Sequence, residues 1–383
     1  MPSIRFLICL IAFGLLAQPS AADSWAMPTV EQYFSADRQV RLTITPRDLS
    51  SQLDYFAGKV RHDAKAGQRR GSTQNFPRGV LQRFVRGRWR MLWDSALVND
   101  VAPVSALVAD SGRYIVTFDN WHIVGLGPNV IVIYGAGGRL IRSLRLEDVL
   151  PKEYISALQR SVSSLWWSGR HRMAAQADEV ILSIVVPATG NAQARSHVEL
   201  ALDLATGRVH PVDPAAWRRA VEQAAVVAKA NAVAAARAHA SFIAPLLGPA
   251  GIDETDWHGY LREAFFRSAP DWKEDFPSTT VLRAPGATDY APSEGWVREA
   301  LTEKAMPDDV RMFASPSSPE ALIGIFKKTV ATMPSGALKS VQIYVAVPAA
   351  FKDRVAAVLH PTGATFIFLD PAKPIPQRKE RLR

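Results

Sequence analysis

The chain has 383 residues, 48% of them hydrophobic, and a formal net charge of +9. That length and apolar share allow two or three domains with sizeable cores. The single cysteine, Cys9, excludes an internal disulfide and a cysteine-built metal cage.

At the N-terminus Arg5 is the only charge before Asp23, and Phe6 to Ala17 is an apolar run of 12 residues followed by Gln-Pro-Ser-Ala-Ala. This pattern predicts a cleavable secretory signal over residues 1–22, with cleavage after Ala22. A membrane span needs about 20 apolar residues, so the run is too short to be one. Cys9 lies inside the signal. It is preceded by Ile8, and the apolar run continues past it, so it does not mark a lipid-anchoring site. The expected mature chain is 383 less 22, or 361 residues, cysteine-free and carrying +8, in the periplasm or secreted. A chain without disulfides must be stabilised by its core.

Residues 23–212 carry three segments with one layout, an apolar strand, a Gly-Arg turn and a second strand. They run from Gly79 to Trp93, Asn129 to Leu144 and His197 to Pro211, turning at Gly87-Arg88, Gly138-Arg139 and Gly207-Arg208. Glycine tolerates the positive φ that tight hairpin turns need. A further strand candidate precedes each hairpin, Gln39 to Thr45, Arg113 to Phe118 and Glu179 to Val186, rich in β-branched and aromatic residues. The pattern predicts an antiparallel β domain over 23–212.

The stretch Ala109-Asp-Ser-Gly-Arg-Tyr-Ile-Val-Thr-Phe-Asp119 resembles the opening strand of a β-propeller blade, where an Asp/Gly turn feeds an aromatic-rich strand. The resemblance covers about 35 residues and implies blade-like sheets. The turns are spaced irregularly, by 51 and 69 residues. Three units are also fewer than the four blades of the smallest closed propeller, so a sandwich or a propeller fragment is equally compatible. Val130 to Gly138 also looks like a strand entering a dinucleotide-binding loop. The third glycine of that motif is replaced by Leu140, and a strand-like alternation follows instead of a helix. A hairpin turn is the better reading, and no cofactor is expected.

Asp213-Pro214 is a helix start, and Ala215 to Ala240 contains no Gly or Pro. Residues 213–240 are therefore read as a long Ala-rich helix, a spacer or packing rod. Residues 241–308, broken by seven prolines, are read as an irregular connecting region with short helices over Asp256 to Arg267 and Ser293 to Lys304. From 309 to 370 the pattern predicts a small βαβαβ domain. Its strands are Val310 to Phe313, Val341 to Val347 and Thr365 to Leu369, and its helices Pro319 to Thr332 and Ala349 to Leu359. The last strand–helix–Gly–strand run, about 30 residues, resembles the periplasmic domain of TolR/ExbD-type envelope proteins. Those proteins keep an N-terminal membrane helix, which this chain is not expected to retain. The Pro- and basic-rich tail 371–383 is expected to be disordered.

Nucleophile-elbow, S-x-x-K, phosphate-loop and H-E-x-x-H patterns are absent, and no two of the eight histidines stand three or four apart. Two clusters remain. Asp119-Asn120-Trp121-His122 follows the best strand, and its carboxylate, amide, indole and imidazole could form a binding rim or an acid/base pair; equally, Asp and Asn favour turns. Asp253 to His258 could bind a hard cation, though helix capping accounts for it better. Six of the ten tryptophans fall between Trp25 and Trp167. The adjacent Trp166 and Trp167 are stacking candidates for a sugar or peptide, or anchors of the β core.

The expected fold class is α+β: an antiparallel all-β N-terminal domain of blade-like hairpins, a long Ala-rich helix and a small C-terminal α/β domain. The expected function is that of an exported, non-enzymatic envelope protein binding another protein or a cell-wall component. The alternative is a hydrolase or glycan-active enzyme using Asp119 and His122. Candidate binding residues are Asp119, Asn120, Trp121, His122, Trp166 and Trp167. Export and the lack of any recognition motif argue against nucleic acid. The net charge is compatible with peripheral contact with an anionic surface.

Overall fold

The computed structural model describes residues 25–175, 178–189, 196–270, 277–304, 306 and 309–382. The predicted signal segment, with Cys9, lies outside the described residues. The chain divides into two compact units, Met1–Val233 and Ala234–Arg383. The class is α+β, with antiparallel sheets in the first unit and a parallel sheet with helices in the second.

The first unit holds three four-stranded antiparallel sheets. Strands β1 (Glu31–Phe34), β2 (Val40–Thr45), β3 (Arg78–Val85) and β4 (Arg88–Ala96) form the first. The second contains β5 (Ser105–Val108), β6 (Ile115–Phe118), β7 (Ile131–Tyr134) and β8 (Leu140–Leu144). In the third are β9 (Arg172–Met173), β10 (Glu179–Val185), β11 (His197–Asp203) and β12 (Val209–Pro211). Within each sheet the strands neighbour one another in chain order. Each strand-plus-hairpin unit of the sequence thus gains one short strand at its N-terminal side. The β3–β4 turn is one residue earlier than expected. Arg86 and Gly87 both have positive φ, 50° and 78°, the two-residue geometry that matches strand twist. Gly135–Gly138 closes the β7–β8 hairpin, and no helix follows it.

The sheets stack face to face because the middle one is apolar on both sides. Along β7, Val132 and Tyr134 join Val40, Leu42 and Leu81 of the first sheet in one core. Ile131 and Ile133 join Val180, Leu182 and Leu200 of the third sheet in another. This period-two division explains why Ile131–Tyr134 is buried throughout. The second core also takes in Tyr154 of α2 (Lys152–Ala157) and Ala220, Ala224 and Val227 of the long helix α3 (Pro214–Ile243). Beyond Ala228, residues 229–241 of α3 are exposed on every side.

In the second unit a parallel sheet has the order β13 (Ser278–Val281), β14 (Val310–Ala314), β15 (Gln342–Ala346), β16 (Thr365–Leu369). Helices α5 (Tyr290–Thr302), α6 (Pro319–Val330) and α7 (Lys352–Leu359) connect successive strands and share one core with Phe313, Ile343 and Val345. Helix α4 (Glu254–Ser268) packs with Met312, Tyr344 and Ala346 in a separate core. Alternate strand residues therefore serve two helical layers, as parallel sheets require.

Two expectations are corrected here. Residues 241–308 contain the two expected helices, as α4 and α5, but are not an irregular connector: β13 pairs with β14 over four residues, and each helix packs into a core of the unit. A four-residue strand of Ser-Thr-Thr-Val among prolines has too little periodicity to be seen alone. The tail is not disordered either. Leu246 and Ile375 exchange two backbone hydrogen bonds of 2.8 and 2.9 Å. Arg378 Nε donates to Phe266 O at 3.1 Å, and Arg381 pairs with Glu263 at 2.9 Å. The basic residues that suggested disorder find their acceptors on α4. Asp253 caps α4, accepting from Asp256 N–H at 3.1 Å, so its carboxylate serves the helix.

Candidate functional site

Three connections that leave strand ends on one side of the stack build a pocket. The first is the β2–β3 connection, which carries α1 (Gln52–Val60); the second follows β4; the third is the Asp119–Asn129 loop after β6; Val162 and Ser163 of the β8–β9 connection add to the wall. The cavity measures about 590 Å³, with Phe56, Val98, Trp121, Leu126 and Val162 forming apolar walls.

The loop is folded by its own turn chemistry. Asp119, His122 and Asn129 adopt positive φ, as do Gly125 and Gly127. The Asp119 carboxylate accepts Gly125 N–H at 2.7 Å and Trp167 Nε1–H at 3.2 Å. A side chain on Gly125 would meet Trp167 at 2.8 Å, so the close approach requires glycine. Burial pushes the Asp119 carboxyl up to about 6 against these two donors. Asp119 therefore organises the loop from beneath and does not line the pocket. Trp167 is fully buried with it, and Trp166 stands half-exposed outside the lining.

Asn120, Trp121 and His122 do line the pocket. Asn120 Nδ2–H donates to Pro128 O at 2.8 Å, and its Oδ1 accepts from Asn99 at 2.9 Å. Trp121 is buried, and its indole N–H donates to Ala26 O at 2.8 Å. The ring of Tyr55 packs edge-on against Trp121 and His122, with centroids 5.3 and 4.9 Å apart.

A charge network forms the polar side. Asp100 meets Lys59 Nζ at 2.7 Å, Arg47 Nη2 at 3.2 Å and the Tyr55 hydroxyl at 2.8 Å. Burial alone would raise the Asp100 carboxyl. Hydrogen bonds from Lys59 and Tyr55, with the charges of Lys59 and Arg47, hold it below the usual range. Burial, then the Asp100 hydrogen bond, pushes the Tyr55 hydroxyl well above its ordinary value. Tyr55 Oη also lies 2.6 Å from His122 Nε2. Tyrosine has one hydroxyl hydrogen, and the ionised Asp100 accepts it, so His122 Nε2–H donates to the tyrosine oxygen. Burial lowers the His122 pKa, so the ring is neutral near pH 7.

Sequence reasoning found Asn120, Trp121 and His122 but missed Tyr55, Lys59 and Asp100. Tyr55 is 67 residues from His122 and 45 from Asp100. The available signal was Ser51 with Asp54 three residues on, which caps α1 through Asp54 N–H at 3.1 Å. On α1, Tyr55 and Gly58 face inward, while Leu53, Phe56 and Val60 form an exposed apolar stripe beside the pocket. Stripe and pocket together offer an unusually apolar opening for a solvent-facing surface.

Among the described residues no group of three or more His, Cys, Asp or Glu could hold a metal ion. No described helix is long and apolar enough to cross a membrane. Comparison of the chain with protein-family models gives no match, and comparison with curated proteins gives none.

Proposed function

We propose that this chain is an exported envelope protein that binds rather than transforms its ligand. It takes an apolar or aromatic group of another envelope protein, or of a cell-wall component, into the pocket beside α1. One observation carries the reading: the titratable groups of the pocket are bonded to one another beside apolar walls. The Tyr55 hydroxyl is committed to Asp100 and His122, and the Asp100 carboxylate to Lys59 and Arg47. Such a network rigidifies a recognition surface and leaves little free basicity for catalysis. The apolar run and small-residue exit at residues 6–22 support export. Three successive four-stranded meanders support the propeller-like reading of the first unit. The strand–helix–Gly363–strand order at the C-terminus supports the TolR/ExbD-type likeness.

The test uses 8-anilinonaphthalene-1-sulfonate, an anionic aromatic probe, on the purified chain, together with a photo-crosslinking residue placed at Phe56 in intact cells. Probe fluorescence abolished by Phe56→Ala, with an envelope adduct at position 56, is the expected result. Probe binding unaffected by Phe56→Ala, with no adduct, would overturn it.

The Asp100–Tyr55–His122 chain favours a second reading, a hydrolase or glycan-active enzyme. Asp100, not Asp119, would be its carboxylate. Hydrolysis of a peptidoglycan or ester substrate that His122→Gln abolishes, with probe binding intact, would establish that reading instead.

A further inference from the structure

We propose that the opposite end of the first sheet, the β1–β2 and β3–β4 turns, docks on an anionic lipid bilayer. This surface is separate from the pocket and does not depend on its assignment. The two turns lie at one end, since Phe84 N–H donates to Gln39 O at 2.8 Å. The β3–β4 register sets Phe84 opposite Trp89 and Gln82 opposite Met91. Because side chains alternate, Phe84, Trp89 and Met91 share one face. That face continues into Phe34, whose ring meets Trp89 edge-on at 6.2 Å. Phe84 and Met91 are 39% and 63% exposed, in a place where nothing described covers them.

Arginines surround this apolar centre. The Arg41 guanidinium lies over Trp89 at 4.3 Å, and that of Arg38 over Phe34 at 4.7 Å. Arg86 occupies the turn itself, and Arg88 and Arg90, alternating with Trp89 and Met91 in β4, extend from the other face of the same hairpin tip. Arg38, Arg41, Arg86, Arg88 and Arg90 make no ion pair among the described residues. Arg83 reaches the Ser111 carbonyl, and the nearby Asp37 carboxyl is held below its usual range chiefly by the Ser35 hydroxyl, then by the Gln39 N–H, with the charge of Arg83 adding least. Across the sheet Arg83 faces Arg90, a like-charge pair that a folded sheet ordinarily avoids. A lipid surface at the hairpin tip accounts for the exposed guanidinium groups that have no carboxylate. Phosphate headgroups accept the guanidinium forks, while Phe84, Trp89 and Met91 enter the headgroup–acyl boundary. Nucleic acid fits less well, because Arg41 and Arg38 already cover faces of Trp89 and Phe34 that bases would stack on.

The experiment is co-sedimentation of the full chain with vesicles of phosphatidylglycerol and phosphatidylethanolamine, beside vesicles of phosphatidylcholine alone. Binding is expected only to the anionic vesicles and should weaken with salt. Each neutralised arginine should cost about fivefold, so the triple variant Arg86→Gln, Arg88→Gln, Arg90→Gln should lose about 100-fold. Removing three charges elsewhere, as Lys327→Gln, Lys328→Gln, Lys339→Gln, should change affinity less than twofold. Phe84→Ser with Met91→Ser should weaken binding at high and low salt alike, with the circular dichroism spectrum unchanged. Equal binding to neutral vesicles, no binding to either, or an equal loss in the lysine control would overturn the proposal. So would tighter binding to single-stranded DNA that ignores Phe84 and Met91.

Discussion

The two ends of the first unit handle positive charge in opposite ways. At the pocket end, Arg47 is buried and Lys59 half-exposed, and both close on Asp100. At the hairpin end Arg38, Arg86, Arg88 and Arg90 stand exposed without a carboxylate, while Arg41, half-buried, lies over Trp89 and donates to Gln82 at 2.6 Å. A buried cation needs a partner to repay its lost hydration, whereas an exposed one keeps its water and is free for another surface. The pocket end is thus tied internally, and the hairpin end is left open.

The largest effect should come from the pocket wall. Trp121→Ala removes a buried indole that holds α1 and the Ala26 carbonyl together, and should lower stability by about 3–5 kcal/mol in urea unfolding. A loss below about 1 kcal/mol would mean that the pocket end is not a packed structure.

Asp100→Asn should cost about 3 kcal/mol, because it leaves Arg47 buried without its counter-charge. The matched charge removal at the other end, Arg88→Gln, should change stability by less than about 0.5 kcal/mol. Similar losses at both ends, by thermal or urea unfolding, would erase the difference between them.

Acidification provides a third test through two groups packed on Trp167. Burial lowers His171 to about 4, while Asp119 is raised to about 6. His171 stabilises the fold above its unfolded value of about 6.5, and that contribution is lost as pH falls through 4. The raised Asp119 works the other way: its stabilisation is complete below about 3.9 and is lost as pH rises through 6. Between pH 6.5 and 4 the two slopes oppose one another. Asp119→Asn should remove the compensating slope, so that the variant loses about 3 kcal/mol more than the parent over this range. Parallel stability–pH curves would rule this out.

The smallest effect is a gain. Arg86→Asn creates Asn-Gly in a turn whose two residues both have positive φ, and should stabilise the chain by about 0.5 kcal/mol. The same change should weaken anionic-vesicle binding about fivefold. Stability and docking would then move in opposite directions at one residue.

Much of the fold was legible where periodicity is strong. Ile131–Tyr134 reads as a strand because both its faces are apolar, and Pro319–Val330 as a helix because its apolar residues recur on one face. The cap at Asp253 was also legible, because capping chemistry is local. Strand β13 and the ordered tail were not. Ser278–Val281 gains its stability from pairing with β14, and Arg381 from Glu263, 118 residues away. The site divides in the same way. Asn120, Trp121 and His122 stood out as adjacent residues after a strong strand, but Asp119 turned inward because Gly125 and Trp167 offer it two donors. Tyr55 and Asp100 became visible only once three inter-strand connections were brought to one end.

The docked tail also governs when the second unit can finish folding. Arg267, inside α4, donates to the Ile375 carbonyl across 108 residues of sequence. Such a contact cannot form until Ile375 has been synthesised, 108 residues after Arg267. During synthesis β13 to β16 can assemble while the layer on α4 still lacks its last partners. The segment from Ile375 to Arg381 then acts as a latch, and truncation before Ile375 should slow completion of this unit rather than change the order of its strands.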